Sequence, residues 1–351
     1  MERIGVMLAV AVALLWGTAD LLAARSASTL GTFKATLVSQ VCGLLLVMAF
    51  GALVLRCWPM PLSATAMEQS VLLGLMSGAC GALGYLALYR ALNLGPLALV
   101  SPLSSTSSTI TLLLALVFLR EQLSPLQLGC VSAVMLGVVL ASTDGATLNS
   151  LQRKPQASWC RHGVPWAVAA SAAFGVMDFG IGASASLSNW LLPVIWTRLF
   201  SVLVLLLLSL VMRTSASVEG APVRSAASPT ELPGAGGQGY LSLFLEDDTR
   251  SLPMPFQLSC LYRSKQTRSY YYSHVDSRLL LACAAGLAEN AAVLGFSFAS
   301  RLATTGMTSA IASGYALVVM LYGLVIYREK LSGNQWSGIA LFMSSLILLA
   351  L

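Results

Sequence analysis

Ten blocks of apolar sequence, each about twenty residues long, fill most of this 351-residue chain. They fall near 4–24, 32–55, 70–92, 97–119, 125–143, 164–186, 190–212, 279–299, 303–327 and 333–351. Hydrophobic residues make up 57% of the chain and charged residues 10%, against about 25% charged in an average soluble domain. No soluble core needs so much unbroken apolar sequence. About 20 residues at 1.5 Å rise cross a hydrocarbon layer of about 30 Å. In lipid each span must satisfy its own backbone hydrogen bonds, so each block is expected to be a helix. The expected fold class is all-α integral membrane, with ten transmembrane helices. The first block has Arg3 ahead of it and small residues in LLAARSAS, as a cleaved leader would. It is nevertheless longer than the usual leader core of about 7–15 residues, and it contains Asp20.

The blocks repeat. REQLS at Arg120–Ser124 recurs as REKLS at Arg328–Ser332, each time between two apolar blocks. At the same offset Ala91 pairs with Ala299, Ser101 with Ser309, Ser105 with Ser313, Leu113 with Leu321 and Gln127 with Gln335. At a second offset WGTAD at Trp16–Asp20 pairs with FGVMD at Phe174–Asp178, so that Gly17 falls on Gly175 and Asp20 on Asp178. A long insertion in the second half accounts for the change of offset. An odd number of spans per half, here five, forces the two halves into opposite orientations. The expected organisation is a first repeat over 1–145, a connecting loop over 146–163 and a second repeat over 164–351, with a polar, partly disordered insertion at 214–277.

The Gly/Pro/Ser-rich part of that insertion buries too little apolar surface to offset its ordering entropy. Its later part mixes Arg263, Lys265 and Arg268 with Tyr262 and Tyr270 to Tyr272, and reads either as a tolerated loop or as a stretch lying on anionic headgroups. The net charge of +6 mostly reports this segment, and its basic residues are too few to indicate a nucleic-acid partner. Basic residues beside the spans favour both termini outside. Seven cysteines without a CxxC pair support neither a metal site nor a disulfide frame. Cys42, Cys80, Cys130 and Cys283 read as small apolar packing residues. No cofactor is expected, since a phosphate-cradling loop is missing. The two histidines, His162 and His274, fall in loops, which argues against a membrane-embedded enzyme.

An ionisable side chain near the bilayer centre costs at least about 2.5–3.5 kcal/mol on insertion scales, so those inside the blocks are the first functional candidates. Asp20, Asp178 and Glu289 are the carboxylates. Asp20 and Asp178 lie past the middle of helices expected to run in opposite directions, which sets them on opposite sides of the midplane. There each meets a proton or cationic group, or merely pairs with a cation or caps a helix end. Glu289 lies deep, is followed by Asn290, and has Gly81 as its first-half counterpart. Lys34 aligns with Arg198; Lys34 can snorkel, whereas Arg198 is deeper and can neutralise Asp178 or meet an anionic group. In the hydroxyl-rich fourth block, SPLSSTSSTITLL, Pro102 should kink the helix. Ser101, Ser104, Ser105 and Thr109 share a face that either lines a cavity or permits close packing. Ser309 and Ser313, with Tyr315 nearby, would complete it from the second half. Trp16, Tyr85, Trp196 and Tyr315 are aromatic lining candidates, or else interface anchors, as Tyr89 at a helix end is.

WGT in the first block, the run LREQLSPLQLGCVSAVMLGVVL and its echo YREKLSGNQWSGIALFMSSLILL resemble the EamA family of the drug/metabolite transporter superfamily. The resemblance implies a basket of two inverted five-helix repeats around a central polar cavity. It implies a secondary active exporter of small organic metabolites or amphipathic compounds, working by alternating access in the plasma membrane. It also implies cytoplasmic termini, against the charge count. Its partners would be a small-molecule solute, the lipid bilayer and a coupling proton or ion. The family motif has Gly ahead of the Glu where this chain has Arg120 and Arg328, and the Glu121 and Glu329 positions are implied to join helices and not to bind solute. The rival reading is a non-transporting membrane subunit or sensor that uses the 214–277 loop as its interaction element.

Overall fold

The apolar blocks are helical along nearly their whole length. A computed structural model describes residues 2–57, 64–95, 97–142, 163–187, 189–219, 270–327 and 333–350. Its helices are α1 (Glu2–Leu30), α2 (Thr32–Cys57), α3 (Ala64–Leu94), α4 (Leu97–Ser105), α5 (Ser107–Leu114), α6 (Pro125–Ser142), α7 (Val164–Leu187), α8 (Leu192–Glu219), α9 (Tyr270–Leu302), α10 (Thr305–Ala312), α11 (Tyr315–Tyr327) and α12 (Gly333–Ala350), with a π-helical turn, Ala115–Leu119, after α5. Among the described residues eight segments are long and apolar enough to cross a membrane, where the sequence led us to expect ten. The two left out, α6 and α12, have 18 residues each, near the lower limit for a span.

The protein is a multi-pass integral membrane protein whose surface and interior are reversed relative to a soluble fold. Leu45, Leu53, Leu72, Val117, Phe118 and Leu207 face outward, while serines, threonines, Gln40, Asp20, Asp178, Glu289 and Arg198 are buried. Lipid demands this: polar groups turn inward to find partners, and apolar ones meet the acyl chains.

The main contacts cross between the halves of the chain. α1 lies along α9 and α3 along α7, while α6 packs on α12. The tightest crossing is α2 on α9, where a Cβ on Gly286 would overlap the Ser39 carbonyl and one on Gly43 would overlap the Asn290 amide. Small residues are what let membrane helices approach this closely. The Cys42 and Cys283 thiols touch at 3.0 Å across the same crossing, and the described cysteines are free.

The fourth block is broken, though one turn beyond Pro102. The chain leaves the helix at Thr106, whose hydroxyl donates to the Leu103 carbonyl at 2.6 Å, after Ser105 has donated to the Pro102 carbonyl at 2.8 Å. The second half breaks at Ser313–Gly314 with no proline, and there the Ser313 hydroxyl donates to the Ala310 carbonyl at 2.5 Å. The shared cause is hydroxyl competition for backbone carbonyls together with tighter i→i+3 bonding.

Two expectations about ends change. α1 runs on to Leu30, so Asp20 caps no helix. α8 continues to Glu219 and α9 begins at Tyr270, so both ends of the 214–277 insertion are helical and His274 sits on a helix. Residues 143–162, 220–269 and 328–332 lie outside the described residues, and with them the connecting loop, most of the insertion and Glu329.

Candidate functional site

The most polar point of the interior is built on Arg198 of α8. Its side chain is wholly buried and its guanidinium reaches three other helices. Nη1 donates to Gln40 Oε1 of α2 at 2.7 Å, and Nη2 donates to Glu289 Oε1 of α9 at 3.0 Å and to the Tyr85 hydroxyl of α3 at 3.1 Å. Gln40 Nε2 donates in turn to Glu289 Oε2 at 3.2 Å. The guanidinium also lies 5.1 Å from the Tyr85 ring centroid, a cation–π contact. Each charge is therefore neutralised and hydrogen-bonded, the condition under which a buried ion pair is tolerated. Arg198 thus takes Glu289 as its partner and not Asp178. Gln40 was not picked out from the sequence, although a lone amide inside the apolar run TLVSQVCGLLL was the available signal.

Around this pair stand two carboxylates that, among the described residues, have no cation of their own in hydrogen-bonding contact. Asp20 of α1 accepts a hydrogen bond from Ser101 of α4. Asp178 of α7 is 4% exposed, and its Oδ1 has no hydrogen-bond partner among the described residues. One helical turn before each carboxylate is a ring. Trp16 meets Tyr315 edge-on with centroids 6.0 Å apart and also lies 5.7 Å from Phe296; Phe174 lies 4.8 Å from Tyr85. The glycine after each ring seats a helix from the opposite half. A Cβ on Gly17 would stand 2.6 Å from Val318 Cβ and 3.0 Å from the Tyr315 carbonyl oxygen; one on Gly175 would stand 2.6 Å from Ile110 Cβ and 3.0 Å from the Ser107 carbonyl oxygen. Ser107 and Tyr315, and likewise Ile110 and Val318, differ by the offset that pairs Arg120 with Arg328.

Trp16, Asp20, Tyr85, Ser101, Asp178, Arg198, Glu289 and Tyr315 thus gather in one region. Others of the sequence candidates turn elsewhere. Ser105 and Ser313 bond to carbonyls of their own helices. Trp196 packs over Gly74 and stacks on Phe200 at 5.9 Å. Asn290 fills the space beside Gly43 and donates to the Gly286 carbonyl at 2.7 Å. Thr109 faces Met135 of α6 at 3.6 Å, and Lys34 is exposed. Ser104 and Ser309 are buried, and their hydroxyls have no hydrogen-bond partner among the described residues.

The REQLS connection does a different task. Glu121 accepts from the backbone N–H groups of Thr305 at 2.6 Å and Gly306 at 2.9 Å, so a first-half carboxylate caps the N-terminus of the second half's α10. To reach there the chain turns at Arg120, which adopts φ 51° and ψ 39°. A left-handed conformation is strained for any residue but glycine. Arg120→Gly is expected to stabilise the protein by about 1 kcal/mol, read as a higher thermal midpoint of the purified protein in detergent.

The EamA-like transporter family matches residues 3–143. A solved structure described only as "Crystal structure of protein" matches with a TM-score of 0.58 at 12% identity, covering 98% of this chain and 95% of its own. That likeness is one of fold. No curated protein matches.

Proposed function

We propose that this chain, whose residues 3–143 match the EamA-like transporter family, is a secondary carrier that exports a small organic solute. Two inverted five-helix repeats alternate access around the Asp20–Asp178–Glu289–Arg198 region. The observation that carries the reading is the cost of that region. Three carboxylates and a guanidinium sit inside an apolar helical bundle, and intramembrane ionisable groups at such positions mark solute and ion pathways. A purely structural role accounts for Arg198 and Glu289, whose charges neutralise each other, but not for Asp178, whose carboxylate has no ion pair and one orphaned oxygen among the described residues. Tyr85, Tyr315, Trp16 and Phe174 supply rings against which the carbon skeleton of a solute can pack.

The test is a metabolite and toxin-resistance screen in cells with and without the chain. Asp178→Asn is expected to abolish the flux that the intact chain supports, and Glu289→Gln to reduce it, with both variants still present in the membrane. Unchanged flux in both variants would overturn the reading.

A further inference from the structure

The two aspartates are paired by the sequence recurrence, and so are two of the serines that accompany them: Asp20 with Asp178, and Ser101 with Ser309. In the first half the pair is closed, because the Ser101 hydroxyl donates to Asp20 Oδ2. In the second half no such bond is made among the described residues. Asp178 Oδ1 and Ser309 Oγ are both buried, with no hydrogen bond among the described residues. The helices that bear them are nonetheless in contact one turn away, where Gly182 of α7 packs against the Thr305 side chain of α10. The recurrence thus sets a bonded aspartate–serine pair in the first half against an unbonded one in the second.

A buried carboxylate oxygen and a buried hydroxyl left without partners cost free energy unless something else fills the gap. The charge that suits the gap is positive. Arg198 is already engaged by Glu289, Gln40 and Tyr85, which leaves the carboxylates in excess over the one guanidinium. The shape that suits it is an N–H donor on an aromatic or aliphatic body, since Phe174 stands one turn from Asp178 with the tilted ring of Tyr85 beside it, centroids 4.8 Å apart. An ammonium can give one hydrogen bond to the carboxylate and meet the ring faces by cation–π attraction.

We propose that Asp178 is the open half of a duplicated carboxylate–hydroxyl site for the ammonium group of a small organic cation, and that Asp20, closed here by Ser101, takes the same role when the carrier faces the other way. In that state Ser309 donates to Asp178 and Ser101 releases Asp20. This rests on the carrier reading above and deepens it by naming the solute's charge.

The full chain is purified into lipid nanodiscs and titrated calorimetrically with 2-phenylethylammonium and, separately, with its uncharged analogue 2-phenylethanol. The ammonium is expected to bind and the alcohol to bind at least about tenfold more weakly. Asp178→Asn, which keeps the side chain's shape, should weaken the ammonium on the order of thirtyfold or more and remove the preference. Asp20→Asn should keep equilibrium binding yet lose exchange of the labelled ammonium across proteoliposome membranes. Equal binding of both probes, binding of neither, or a preference that survives Asp178→Asn overturns the site. Equal loss of binding in both aspartate variants overturns the alternation, because it makes one site of the two carboxylates. Charge-selective binding with no exchange in the unmodified protein leaves the site standing and overturns the carrier reading instead.

Discussion

Arg198→Ala should destabilise the protein by on the order of 3–5 kcal/mol, because it leaves the Glu289 carboxylate buried with only the Gln40 amide and the Tyr85 hydroxyl near it. The same substitution empties a volume that several helices surround, which adds a cavity cost of the same sign. The check is the thermal midpoint of the detergent-purified protein, followed by loss of the monodisperse peak on heating. A companion variant separates the two costs. Arg198→Met with Glu289→Met removes both charges and refills the space, and it should recover most of the loss, since a buried ion pair adds little net stability over apolar residues of similar volume. If the double variant is as unstable as Arg198→Ala alone, the charge pair is not the origin of the effect. Flux should be lost in both variants, so stability and transport come apart in the double variant.

Gly286→Ala is expected to have an effect of comparable size from a single added methyl group. The new Cβ would collide with the backbone of Ser39, its carbonyl oxygen and carbon alike, so no side-chain rotation relieves it. α2 and α9 must then separate, at a cost of about 1–3 kcal/mol or more for an overpacked site. The separation also pulls Gln40 away from Glu289 and parts the Cys42 and Cys283 thiols. The measurement is oxidative cross-linking of those two cysteines alongside the thermal midpoint. The unmodified protein should cross-link readily and Gly286→Ala poorly; equal cross-linking in both would mean that the crossing has not opened. By contrast Gly43→Ala meets only the end of the Asn290 side chain, which can swing aside, and should be milder.

Much of this was legible in the sequence because lipid makes the code simple. Apolar blocks of spanning length gave the helices, and the buried carboxylates stood out since nothing else in those blocks is so costly. What the sequence hid depended on pairing in space. Whether Arg198 would meet Asp178 or Glu289 is decided by how the side chains are placed in space, since α8 adjoins the helices of both, and Gln40 joins the network where the glycines of α2 and α9 let those helices approach. Pro102 misled for another reason. A missing backbone donor is visible in a sequence, whereas the hydroxyl–carbonyl bonds of Ser105 and Thr106 that end the helix are a local competition among many serines, and any of them could have won. Asp20 and Ser101 are both legible as candidates, but nothing in their spacing indicates that they bond to each other while the repeat-related Asp178 and Ser309 make no such bond among the described residues.

The crossing of contacts between the halves bears on how the molecule is made. α1 has its main partner in α9, which begins at Tyr270, so at about 5–20 residues per second the first helix waits on the order of ten seconds or longer in the bilayer before its partner is synthesised. During that wait Asp20 can already find Ser101 of α4, whereas the face bearing Gly17 is turned to lipid or to provisional neighbours. α10 starts life beside a Glu121 already in place to cap it. A ribosome that stops between the halves therefore releases helices α1, α3 and α6 without the surfaces they chiefly pack on.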